Sequence, residues 1–184
     1  MNLKNLFIFV LIFLFVAFLV FKSSSFQERE ELKILDTFEE KTNETYTVYN
    51  VDTKGFIKAR INVDYIVGDV AEISLIADCY LIKATTDAFI GNAIIKGQEK
   101  KIEFRPSIYD VITDTFKSLG IQVLALKIVD MKNNTYIGQL ILQHREKVLF
   151  LDIRPSDGSA IAVRFDAPIY INESLAKKMG EYIC

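Results

Sequence analysis

The chain has 184 residues, 51% of them hydrophobic, and a formal net charge of −2 at pH 7. That length suits one domain of ordinary size, and the acidic balance excludes a protein that grips nucleic acid through a broad basic stripe. A single histidine, His144, excludes acid–base cleavage by a histidine pair.

Leu6 to Phe21 is an apolar run without a charge, close to the ~17 to 25 residues that cross a bilayer and longer than most secretory cores. It predicts an N-terminal transmembrane helix within residues 1–22, as anchor or signal segment, with the membrane as the partner of residues 6–21 of a single-pass protein. Lys4 precedes the run while Lys22, Arg29 and Lys33 follow it, so charge leaves the orientation open. Three Asn-x-Ser/Thr sequons, at Asn43, Asn133 and Asn172, tilt the expected side to extracytoplasmic. Residues 23–55 read as a charged stalk and linker, with Leu32, Leu35 and Phe38 at helical spacing.

Residues 56–184 read as the folded domain. Ile57 to Val63, Val70 to Ala77 and Cys79 to Ala84 carry strand patterns. Thr86 is the expected N-cap of a helix that sets Phe89, Ile90, Ala93 and Ile94 on one face and stops at Gly97. Ser107 and Asp110 make a capping box for a second helix, whose Ile108, Val111, Ile112, Thr115, Phe116 and Leu119 predict a buried face. From Gln122 the period changes to two, giving a hairpin around Lys132 to Asn134, a turn at Arg145-Glu146 and a strand over Val148 to Ile153. Ser156 is the expected N-cap of a helix over Asp157 to Phe165. Cys79 and Cys184 could form one disulfide in an exported domain, but a buried Cys79 and a frayed terminal Cys184 are the favoured reading; their spacing carries no zinc or redox motif.

Tyr80 to Ala88 and Phe150 to Gly158 echo one another at a 70-residue offset, each a strand entering Thr/Ser-Asp-Ala/Gly. The fold class follows: α+β, with pseudo-duplicated units of antiparallel strands plus helix forming a sheet core on which the helices pack.

The chemistry concentrates in Asp152-Ile153-Arg154-Pro155-Ser156-Asp157. A carboxylate among apolar strand residues needs a partner, and Arg154, two positions from Asp152 on the same face, is the expected one. Asp157 suits a helix N-terminus with or without catalysis. Arg164 falls on the polar side of its helix, where solvent competes with phosphate, and His144 falls in a turn.

The stretch RPSDGSAIAVRFDAPIY, with Asp152 before it, resembles the Asp-x-Arg-Pro-Ser-Asp-Ala signature of the bifunctional nuclease domain family and the Pro-Ile that follows it. Arg105, Pro106 and Asp110 are similar to the family's Arg-Pro-x-x-His-Asp segment, and Asp87-Ala88 to its Glu-Ala pair; Tyr109 stands where the family has histidine, and Ala84-Thr85 where it has Gly-Pro. The resemblance implies a compact, often homo-oligomeric α+β domain, some of whose relatives cleave RNA and DNA. Carried onto this chain, it implies Asp152, Arg154 and Asp157 as catalytic residues, and Arg105 and Arg164 as substrate-binding residues. Asp87, Asp152 and Asp157 become the candidate ligands of Mg²⁺ or Mn²⁺ in metal-assisted hydrolysis. The alternative is a non-catalytic oligomeric module, tethered to the membrane, that binds a ligand or partner.

Overall fold

The computed structural model describes residues 46–184; the apolar run of residues 6–21 and the charged stretch of residues 27–44 lie outside the described residues. No helix among the described residues is long and apolar enough to cross a membrane. Within them an eight-stranded sheet carries four helices. In chain order the elements are β1 (Phe56–Val67), β2 (Val70–Ala77), β3 (Tyr80–Asp87), α1 (Ala88–Gln98), α2 (Ile108–Ser118), β4 (Ile121–Lys132), β5 (Thr135–His144), β6 (Lys147–Ile153), α3 (Pro155–Ala162), β7 (Ile169–Asn172), α4 (Glu173–Met179) and β8 (Glu181–Tyr182).

The sheet order is β6-β5-β4-β7-β1-β2-β3-β8, so two three-stranded meanders run outward from β7 in mirror order. Strand β7 pairs parallel with β4 and antiparallel with β1. The meanders match in detail. Both begin with a 12-residue strand, and both first strands shift register at corresponding points, Val63/Tyr65 and Ile128/Asp130. Their second hairpins turn through Asp78 and Arg145, each at φ 54°. Each meander feeds a helix through an extended N-cap, Asp87 for α1 and Arg154 for α3. The correspondence over strand and helix is therefore 67 positions, not the 70 read from the Thr/Ser-Asp pairs, and it matches Asp87 with Arg154 rather than with Asp157.

Each of these helices carries glycine four residues past its N-cap. A Cβ on Gly91 would meet the Ala71 Cβ at 2.5 Å, and one on Gly158 would meet the Leu126 Cδ1 at 2.6 Å. The missing side chains let both helices lie close on the sheet. Ile90, Ala93 and Ile94 of α1 and Ala160 and Ile161 of α3 then share one core with Ile73, Leu75, Leu126, Ile128, Leu140 and Ile171.

Several expected ends move. Asp87, not Thr86, is the residue that precedes α1, without a side-chain cap, and the helix passes through Gly97 to Gln98. Arg154, not Ser156, precedes α3, because Pro155 suits the first helical turn; α3 ends at Ala162 and a 3-10 turn covers Val163–Phe165. The Ser107–Asp110 capping box is present. The expected apolar face of α2 is buried only in part: Ile112 and Phe116 pack against the core, Ile108, Val111 and Leu119 are exposed, and the helix turns Tyr109, Asp110 and Thr113 inward. Cys79 and Cys184 form a disulfide, correcting the free-terminus expectation; β8 pairs with β3 beside it. Residues 46–52, expected as linker, lie along the sheet, where the Tyr49 amide donates to Gln143 Oε1 and Gln143 Nε2 donates to the Thr47 carbonyl.

Candidate active site

The N-termini of α1 and α3 open on one groove of about 650 Å³, lined by Thr85, Thr86 and Asp87 on one side and by Arg154, Pro155 and Ser156 on the other. Asp87 and Arg154 come together because each ends the last strand of its meander. Neither uses its side chain to cap its own helix, which leaves both groups facing outward.

Arg154 is the centre of the cluster. Its Nε donates to Asp157 Oδ2 at 2.6 Å, and its Nη1 lies 3.9 Å from Asp87 Oδ2. The Arg154 side chain is 64% exposed and that of Asp87 69%, so both are open to a ligand. Asp157, by contrast, is 19% exposed, and its Oδ1 accepts a 2.6 Å hydrogen bond from the Tyr109 hydroxyl. Burial, reinforced by that carboxylate, pushes the Tyr109 phenol well above its ordinary range. The phenol therefore stays protonated and acts as a fixed donor. Asp157, held from both sides, orients the guanidinium more than it offers a free oxygen.

The other expected site residues are dispersed. Ile153 faces α3, where its Cγ2 lies 3.2 Å from a Cβ built on Gly158, so strand alternation turns Asp152 to the opposite side of β6. The strand ends at Ile153 and Arg154 leaves it as the residue before α3, so the predicted Asp152–Arg154 pair is replaced by the pairs from Arg154 to Asp157 and Asp87. Arg105 is exposed in the loop before α2. Arg164 is corrected from a solvent-facing residue to a buried one: it is 8% exposed, its Nε donates to Asp110 Oδ1 at 2.8 Å, and its Nη1 donates to the carbonyls of Ala93 and Ala160. Those carbonyls are corresponding positions of α1 and α3, so Arg164 clasps the two halves together.

Asp87 and Asp157 are hard oxygen donors of the kind Mg²⁺ and Mn²⁺ take. With Asp152 on the other side of β6 and Arg154 between the remaining two, the expected three-carboxylate cradle does not form. Among the described residues no three His, Cys, Asp or Glu side chains gather to hold an ion.

The role of Tyr109 is not evident from the apolar pattern of its helix. The signal for it lies in the stripe Tyr109, Ile112, Thr113 and Phe116, which has helical spacing but contains two polar groups.

Residues 82–183 match the sequence model of the bifunctional nuclease domain, which covers more than half of the chain. The chain belongs to the bifunctional nuclease domain family. It is 33% identical over 79 residues to bifunctional nuclease 1 of Oryza sativa subsp. japonica, a stretch that is 41% of this chain and 24% of that protein. Bifunctional nuclease 2 of the same plant is 36% identical over 80 residues, again 41% of this chain and 24% of the relative. An uncharacterized protein of Mycobacterium tuberculosis is 37% identical over 76 residues, 41% of this chain and 44% of its own length. The match thus spans less than half the length of each of these relatives. The family's matched segment takes in β3, α1, α2, the second meander and α3, and so includes all four residues of the Asp87–Tyr109–Arg154–Asp157 cluster.

Proposed function

We propose that the protein is a membrane-anchored nuclease-type hydrolase that binds a phosphodiester of RNA or DNA at the mouth of the groove between α1 and α3. The exposed Arg154 guanidinium, fixed at 2.6 Å by Asp157 and reaching toward Asp87, carries this reading. A pre-positioned guanidinium matches two phosphate oxygens at once. It also stabilises the charge that builds on those oxygens as water attacks the phosphorus.

Asp87 has the loose second contact and the exposure to take the proton of the attacking water. The new P–O bond forms as the bond to the leaving sugar oxygen breaks, and that oxygen takes its proton from solvent. Asp157 and Tyr109 position the guanidinium and do not meet the substrate.

The apolar run of residues 6–21 supports a single-pass anchor. The disulfide supports an extracytoplasmic domain, since such bonds persist in oxidising compartments. Strand β6 lies at the edge of the sheet with Leu149, Phe150 and Leu151 exposed, which supports self-association.

The test is cleavage of labelled RNA and DNA by the full-length chain in detergent, with Mg²⁺, Mn²⁺ or EDTA, beside a folded Asp157→Asn variant. Cutting that falls in the variant supports the hydrolase. Loss with EDTA places a divalent ion in the reaction, and retention assigns the charge stabilisation to Arg154. Equal trace cutting by both proteins overturns the hydrolase in favour of a tethered binding module.

A further inference from the structure

Phe89 is the second residue of α1 and remains 58% exposed, while Ile90, Ala93 and Ile94 fill the core. Leaving such a ring in water forgoes roughly 1.5–3 kcal/mol of burial. The ring is nevertheless fixed in place. Its centroid is 6.0 Å from that of Tyr109, with the planes 32° apart, and Tyr109 is itself held by its hydrogen bond to Asp157. One face of Phe89 is thus braced by the site, and the ring follows Asp87 by two residues in the same first turn.

This arrangement links a flat apolar surface to a cation: Phe89 packs on Tyr109, whose hydroxyl donates to Asp157, and Asp157 holds Arg154. A single nucleotide has the same two parts, a π-face and a phosphate. With a net charge of −2, the chain gains less from many phosphate contacts than a basic protein does, and stacking is the complementary source of affinity. Bases in a duplex are already stacked and cannot offer a face.

We infer that Phe89 is the stacking platform for a nucleobase of the strand whose phosphate meets Arg154, which makes single-stranded nucleic acid the substrate class. This rests on the nuclease reading above. Phe89 is a positioning residue and takes no part in the bond changes.

The test is fluorescence anisotropy of the full-length chain in detergent with labelled oligothymidylate, oligouridylate, an abasic strand of the same length and a duplex. The proteins compared are wild type, Phe89→Ala and Phe89→Trp, with thermal melts as the folding control. Wild type is expected to prefer base-bearing single strands. Phe89→Ala is expected to weaken these by about 5- to 150-fold while leaving the abasic strand unchanged, and Phe89→Trp to retain tight binding. An unchanged ratio of base-bearing to abasic affinity in Phe89→Ala overturns the platform and leaves the nuclease reading intact. Wild-type protein that binds none of the four overturns both. A Phe89→Ala protein that instead loses self-association on sedimentation, with base preference unaltered, assigns the ring to a contact between copies and also overturns the platform.

Discussion

Asp110 and Arg164 show how a motif that looks functional in sequence can be architectural. Their side chains are 8% and 6% exposed, and the arginine is shared among α1, α2 and α3 through Ala93, Asp110 and Ala160. Its Nη2 has no partner, so the desolvation of the guanidinium is only partly offset. Burial works to raise the Asp110 carboxyl, but the Ser107 hydroxyl and Arg164 outweigh it and hold the group below its ordinary value. A depressed carboxyl stabilises the fold above its unfolded pKa, and that contribution is lost as the pH falls through the folded value. Acid unfolding is therefore expected to begin below about pH 4 and to show in the midpoint of thermal melts across pH. Replacing one partner leaves the other charged and buried: Arg164→Met is expected to cost about 3–5 kcal/mol in urea unfolding, far more than loss of an exposed arginine.

The helix elements are placed by what their first turns lack. Gly91 and Gly158 allow α1 and α3 to approach the sheet, and this closeness brings Asp87 and Arg154 to one groove. Gly158→Ala drives a Cβ to 2.6 Å from Leu126 Cδ1 and is expected to destabilise the domain by about 1–3 kcal/mol, read as a shift in the urea midpoint. Strands β1 to β6 and the capping box of α2 were legible from period-two alternation and the Ser107–Asp110 spacing. The buried side of α2 was legible only at Ile112 and Phe116, because Ile108, Val111 and Leu119 lie outward and two polar residues, Tyr109 and Asp110, lie inward with partners 48 and 54 positions away. A local hydrophobic pattern does not see such distant partners. The four-residue β7 escaped for a similar reason: its Ile169 and Ile171 alternate too briefly to signal a strand, yet their pairing joins the meanders.

Across the molecule, the two meanders and their helices are alike in strand length, register shift and turn, but the site is made by their differences. Corresponding positions hold a carboxylate at Asp87 and a guanidinium at Arg154, and only the second half adds Asp157, while α2 supplies Tyr109 between them. The aspartates and arginine of the candidate site were legible as residue types in the motif; which of them meet was not, since strand alternation and the start of α3 at Pro155 separate Asp152 from the others. The disulfide was legible only as the less favoured alternative, because two lone cysteines 105 positions apart carry no spacing signal and the pairing of β8 with β3 brings them together. Every step of the proposed reaction depends on the exposed Arg154 as the phosphate-binding group. The most direct test of that role is the single-turnover rate of nucleic-acid cleavage by Arg154→Ala beside wild type, with thermal melts of both. At least a 100-fold loss of rate is expected, the order found when a charge-stabilising donor is removed, with a melt close to wild type because the side chain is largely in solvent. Equal rates for the two folded proteins would contradict that role.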